Sequence, residues 1–382
     1  MKGVISLFEA TKQFCDSLLP YGLPGFDLIV YHKGSCVLRY RNGYRDLENK
    51  IPMTGTERLN LYSCSKPITC TAAMQLWEKG LFDLEDPISR YLPEFQDMNV
   101  LTEAGIEKAK NPILIRHLFQ MTSGLSYDVN STQIQLCRQA TGGGCPGREM
   151  VRYLAKEPLL FEPGTQWRYS LSHDVLAVLV EVLSGEPFED YIKHHIFDPL
   201  GMNDSTFLLP ERELDTIAPQ YAFENGQTVQ IGKLTYTYRL GHQHASGGAG
   251  CISTVDDYIK FIEALRKGQL LKPETIALMT VDRMTEAHMR TYFLNETHGY
   301  GLGVRCGNGD PRNSDFGWDG AACSYMSLDM ENDISIFFGA HQRMSPVQNA
   351  RNLLHRFVRA ELIEPADIPQ VQAIAKERLE KL

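Results

Sequence analysis

The sequence predicts an α/β chain of the α+β type: one sheet completed by both chain ends, with an all-helical lobe inserted between them. Three observations predict it. β-rich runs occur near the start and return after residue 300, helix-patterned segments fill most of the stretch between, and no internal repeat, low-complexity tract or Pro/Ser linker separates independent domains. With 382 residues, 43% of them hydrophobic, the chain can bury a sizeable core. The expectation is a single domain, 1–382, in which 1–62 plus 245–382 form the sheet lobe and 63–244 the helical lobe.

Residues 3–18 carry Ile5, Phe8, Ala10, Phe14 and Leu18 on one helical side, and Pro20, Gly22, Pro24 and Gly25 end that helix. The runs 26–31 and 36–40, separated by His32-Lys33-Gly34-Ser35, predict an antiparallel hairpin. Helical signals follow at 64–79, 86–91, 115–120, 150–155, 174–183 and 188–196. Between them, 127–148 holds Thr141-Gly142-Gly143-Gly144-Cys145-Pro146-Gly147, which predicts a surface loop at the rim of a site. A helix at 255–267 is capped at Gly268, and strands are expected at 301–305, 324–328 and 334–338. An apolar stripe at Leu353, Leu354, Phe357, Val358 and Leu362 closes the chain as a helix.

Composition excludes several classes. A net charge of −9 leaves no basic footprint for nucleic acid or anionic membranes. The early residues lack a signal-peptide core, and the most apolar later segment, 175–183, is broken by Glu181 and too short to span a bilayer. Nine cysteines without Cys-x-x-Cys spacing do not form a disulfide framework, which fits a cytoplasmic protein. His242 and His244 with Cys251 are candidate metal ligands, but a His-x-His pair in a glycine-rich loop without further clustered ligands reads as a loop. Neither metal nor cofactor is expected.

Chemistry is concentrated at Ser63-Cys64-Ser65-Lys66-Pro67, just before the apolar run that ends at Gly80. Pro67 belongs in a first turn, so the helix starts near Ser63 and sets Ser63 and Lys66 one turn apart on one face. A serine hydroxyl becomes a nucleophile when a neighbouring base takes its proton, and a helix N-terminus favours an oxyanion while disfavouring an ammonium. Taken alone, Ser-x-x-Lys fits an N-cap serine with a solvated lysine more readily. Two further stretches supply context. Tyr169-Ser170-Leu171 lies at a helix entry, where a phenol with its pKa lowered by the ammonium could relay a proton. Gly317-Trp318-Asp319-Gly320-Ala321 leads into a strand, where glycines admit a substrate close to the backbone.

These signals, in this order, resemble the serine β-lactamase and penicillin-binding-protein superfamily, closest to its class C-like branch and the family VIII carboxylesterases. Ile115-Arg116-His117-Leu118 with Thr122-Ser123-Gly124-Leu125, Glu162-Pro163-Gly164-Thr165, Asp198-Pro199-Leu200-Gly201-Met202 and Tyr300-Gly301-Leu302-Gly303 extend the likeness over roughly 10–360. The resemblance implies a mainly antiparallel sheet flanked by helices beside a helical lobe, with the site in the cleft between them. It implies Ser63 as acylated nucleophile, Lys66 as its base or base partner, Tyr169 as proton relay, and the backbone N–H groups of Ser63 and Ala321 as oxyanion hole. Tyr127 resembles a pocket tyrosine of some of those esterases, and Leu171, Trp318, Asp319 and Gly320 would contact substrate.

Two departures from the family pattern bear on substrate. Leu171 stands where an asparagine usually binds an amide, and Trp318 stands where a cation usually binds a carboxylate. Both losses point to small neutral esters. The alternatives are β-lactams or D-amino-acid amides handled by the same residues, or a non-catalytic member that only binds in the cleft.

Overall fold

The computed structural model describes residues 7–233, 240–294 and 297–382. Its central sheet has five antiparallel strands in the order Tyr325–Asp329, Ile334–Ala340, Gly25–His32, Ser35–Asp46, Ile51–Pro52. Both chain ends therefore build one sheet, as expected. The hairpin turns at Lys33 and Gly34, whose φ of 51° and 77° suit a two-residue connection that follows the right-handed twist of the strands.

Strand side chains alternate between faces. Phe26, Leu28 and Val30, with Ile336 and Phe338, join one buried cluster, which the Glu9–Asp16, Leu354–Leu362 and Ile368–Glu380 helices cover. Phe14 stacks on Phe357 there with ring centroids 4.3 Å apart, a contact that ties the two chain ends together. Ile29 and Phe337 point to the opposite face and join the larger cluster, against the Val255–Arg266 helix. The Ser65–Glu78 helix is buried along nearly its whole length, because it also packs on the Ser172–Ser184 helix.

Several expectations shift. The first helix begins only at Glu9, after Phe8 in a left-handed conformation (φ 69°), and the expected residues 3–6 lie outside the described ones. The 127–148 stretch is no continuous loop: Thr132–Ala140 is helical, and Cys145 is fully buried. Its glycine-rich part pairs with the backbone of His242 and Gln243. The 301–305 strand is instead a turn between the paired strands Gly299–Tyr300 and Arg305–Cys306. Hairpins at Asn99–Thr102/Gly105–Lys108 and Gln220–Glu224/Gln227–Ile231 were not expected, nor was the helix Ile368–Glu380. No helix among the described residues is long and apolar enough to cross a membrane.

Candidate active site

Ser63 sits in a single 3-10 turn, Tyr62–Cys64, that runs directly into the Ser65–Glu78 helix. Tyr62 holds a left-handed φ of 47°, a conformation that non-glycine residues adopt mostly where the surroundings impose it. Lys66 is fully buried, one turn on. Its Nζ donates to Ser63 Oγ at 3.2 Å and to the Gly248 carbonyl at 2.7 Å.

Tyr169 arrives from the loop before the Ser172–Ser184 helix, and its hydroxyl donates to Ser63 Oγ at 2.7 Å. The Lys66 ammonium position lies 4.4 Å from the centroid of the Tyr169 ring, and Tyr127 packs edge-on against that ring at 5.0 Å. Trp318 completes the group: its indole Nε1–H donates to the Tyr169 hydroxyl at 3.1 Å, with the two rings stacked 5.9 Å apart. Burial pushes the Tyr169 phenol well above its ordinary pKa, outweighing the hydrogen bonds from Trp318 and to Ser63 that lower it. The expected lowering by the lysine is thus corrected: the phenol keeps its proton at neutral pH.

Glycine is required where the Trp318 segment meets the Ser63 turn. A Cβ on Gly320 would stand 2.3 Å from the Leu61 carbonyl oxygen, so only glycine lets the two backbones touch. The following turn closes through Cys323 N–H to Gly320 O at 3.0 Å and Gly320 N–H to Ser324 O at 2.9 Å, bonds that do not use the Ala321 N–H. Ser63, Tyr127, Tyr169, Trp318, Asp319 and Ala321 then line one cavity of about 330 Å³, joined by Phe293, Leu294 and Gln348. Leu171 is not in that wall: it is 1% exposed and packs in the main core. Gly320 shapes the backbone beneath the cavity instead of lining it. Asp319 Oδ1 lies 3.4 Å from Arg351 and 3.8 Å from Arg305, so its charge is compensated by buried guanidinium groups.

Sequence reasoning missed Asp174. It sits buried in the first turn of the Ser172–Ser184 helix, where Oδ1 accepts from Ser246 Oγ at 2.6 Å, His244 Nε2 at 3.1 Å and Gly248 N–H at 3.4 Å. Burial alone would raise its pKa, but His244, Ser246 and the nearby Lys66 reverse this and hold it below the ordinary value. Asp174 therefore fixes the Gly248 peptide whose carbonyl receives Lys66. Position in a helix first turn was its one signal, and nothing local reveals that the 244–248 loop returns to it. His244, weighed as a metal ligand, is this partner. Among the described residues no cluster of three His, Cys, Asp or Glu is arranged to hold a metal ion.

A hydroxyl contacted by an amine and a phenol at the edge of a cavity is equipped for acyl chemistry. The model of the family described as Beta-lactamase matches residues 8–359. The chain belongs to the Beta-lactamase family. It is 30% identical to Esterase EstB of Burkholderia gladioli over 289 residues, 69% of this chain and 71% of that protein. Among solved structures it resembles EstCE1, described as a hydrolase with promiscuous acyltransferase activity, at a TM-score of 0.76 and 26% identity, over 92% of this chain and 97% of that one. The D-amino acid amidase of Ochrobactrum anthropi, at 0.72 and 21% identity over 94% and 98% of the two chains, shares the fold. Membership in the Beta-lactamase family together with these likenesses makes the chain a serine hydrolase of the β-lactamase fold.

Proposed function

We propose that this serine hydrolase is carboxylesterase-like and acts through a Ser63 acyl-enzyme on small neutral esters. The observation that carries the reading is the convergence of Tyr169 and Lys66 on Ser63 Oγ, at 2.7 and 3.2 Å, beside a cavity lined in part by the aromatic rings of Tyr127, Phe293 and Trp318. Ser63 Oγ attacks the ester carbonyl as its proton passes to Lys66, which must first have shed one. The tetrahedral oxyanion is held by the backbone N–H groups of Ser63 and Ala321. Collapse expels the alcohol oxygen, which takes a proton from the protonated phenol of Tyr169, and Lys66 returns its proton to the tyrosine. Water then attacks the acyl-enzyme along the same proton path, releasing the acid and restoring Ser63.

Selectivity for neutral esters rests on Trp318. Where a cation would pair with a substrate carboxylate, it offers an apolar face, and its N–H is already committed to Tyr169. The reaction takes place in one domain of two lobes, 1–62 plus 245–382 and 63–244, in a cytoplasmic setting that fits nine free cysteines. The amidase likeness favours one alternative, turnover of amides by the same residues, and the EstCE1 description favours acyl transfer to an alcohol in place of water.

Intact-mass analysis after a fluorophosphonate probe, with Ser63→Ala as control, tests the reading. One adduct on the native chain and none on the variant is expected; an unmodified native chain would overturn it. The ratio of kcat/KM for a short neutral p-nitrophenyl ester to that for an anionic β-lactam separates ester from amide specificity. A ratio below one would refute the esterase assignment.

A further inference from the structure

Phe293 and Leu294 border two cavities. On one side they close the Ser63 pocket, and on the other they line a space of about 610 Å³ whose walls include Asn349, Asn352, Arg356, Arg378 and Lys381. Phe293 is 62% exposed, so it forms a shared rim and not a sealed partition.

The second cavity is lined by three arginines and a lysine, with no aspartate or glutamate among its described lining residues, and by Leu382 at the chain end. Most of that charge is already engaged. Arg305 is paired with Asp315 at 2.6 Å, Lys381 with Glu377 at 2.7 Å, and Arg378 donates to the Asn349 carbonyl at 2.8 Å. Arg356 differs. It is half-buried, makes no hydrogen bond or ion pair with the described residues, and its Nε is shielded from solvent. Burial above all, with the like charges of Arg312 and Arg378, weakens its hold on its proton, and Asp310 and Asp367 oppose this only in part. Arg312 itself is committed to Asp310 at 2.9 Å.

We propose that this cavity is an anion-binding subsite, receiving a carboxylate or phosphate at the far end of an ester whose carbonyl sits at Ser63. The inference rests on the serine-hydrolase reading and adds a substrate class to it: esters neutral at the reacting bond and anionic at a distance. A planar guanidinium matches carboxylate and phosphate oxygens in pairs, and one that is half-desolvated and unpartnered gains most from a counter-charge. Trp318 disfavours an anion beside the scissile bond. Arg356, beyond Phe293, welcomes one further along the same substrate.

The test compares two series over a range of chain lengths. One sets p-nitrophenyl esters of ω-carboxyalkanoic acids against their neutral ω-methyl esters. The other sets butyrate esters of ω-hydroxyalkyl phosphates against the matching methyl ethers. At an optimal length the anionic member should have kcat/KM on the order of tenfold above its neutral partner at low ionic strength, with the advantage shrinking as salt is added. The series showing it tells whether carboxylate or phosphate is preferred. In Arg356→Met the ratio should fall to about one. Equal rates at every length in both series, or an advantage that survives Arg356→Met, overturns the proposal. Should Arg356→Met fail to fold, Arg378→Gln and the salt dependence of the native ratio decide, and a ratio insensitive to both overturns it. Absence of Ser63-dependent turnover of the neutral esters would instead overturn the hydrolase reading.

Discussion

At the scale of single residues, Ser63 Oγ receives hydrogen bonds from two groups at once, so neither partner acts alone. Ser63→Ala and Lys66→Ala should each lower kcat on a short p-nitrophenyl ester by several orders of magnitude, and the double variant should be little worse than either, because members of one catalytic unit fail together. Additive losses would contradict a shared role. The proton balance gives a second prediction. On the proposed mechanism the reactive state is reached as the Lys66–Tyr169 pair loses a proton, so kcat/KM should rise with pH through an apparent pKa that belongs to the pair. Trp318→Phe removes the indole donor that lowers the phenol's pKa, and should move that limb to higher pH while slowing acylation by about tenfold. A pH–rate profile identical to the native one would remove Trp318 from the proton path.

At the scale of elements, the Ser63–Lys66 turn is positioned by two pieces far apart in sequence, the Ser172–Ser184 helix and the 244–248 loop, joined through Asp174. Asp174→Asn keeps the shape but removes a buried negative charge near Lys66, so kcat should fall about tenfold or more with KM little changed, and the pH limb should move. A variant with native kcat and an unmoved profile would leave Asp174 a purely structural residue. The same distinction governs what the sequence could reveal. Period-two and helical patterns were legible, so the Lys33-Gly34 turn, the first hairpin strand and the Ser65–Glu78 helix fell within a residue or two of their places, while the second strand, expected at 36–40, runs on to Asp46. The Ile368–Glu380 helix escaped notice because only Val371, Ala375 and Leu379 are buried on it and a proline stands near its start. Ser63-x-x-Lys66 is local and could be read, whereas the Trp318–Tyr169 hydrogen bond spans 149 residues. No local pattern encodes such a contact, and Leu171, one residue past Ser170, faces the core for reasons only packing supplies.

At the scale of the whole molecule, the 316–319 segment that carries Trp318 is bridged to Arg305, Leu328 and Tyr325, and a buried ionic network anchors this region to the C-terminal helices. Arg305 donates to Asp315 at 2.6 Å and to the Met326 carbonyl at 3.1 Å, while His355 of the Leu354–Leu362 helix contacts both Asp315, at 3.4 Å, and Asp329, at 3.0 Å. Asp329 also accepts from Ser314 Oγ and Asn332 Nδ2, at 2.7 and 2.8 Å. Burial would raise its pKa, yet these donors, His355 foremost, bring it down to about 2. A carboxylate depressed in the folded state contributes stability that is fully present above its unfolded pKa of about 3.9. That contribution is lost as pH falls through the folded value, so the window runs from about pH 4 down to about 2. Asp315 is likewise held well below its ordinary value, because His355 and Arg305 overcome its burial. Asp329→Asn should therefore cost about 3 kcal/mol at neutral pH, where it leaves a buried network without its charge, but much less near the bottom of that window, where the native carboxylate is itself protonated. Denaturant midpoints of both proteins across that range decide it. A cost that does not change with pH would mean that the ionised form of Asp329 is not what the network stabilises. Since the network holds the backbone on either side of Trp318, loss of this stability in acid should add a second, separate loss of activity below the limb set by the Lys66–Tyr169 pair.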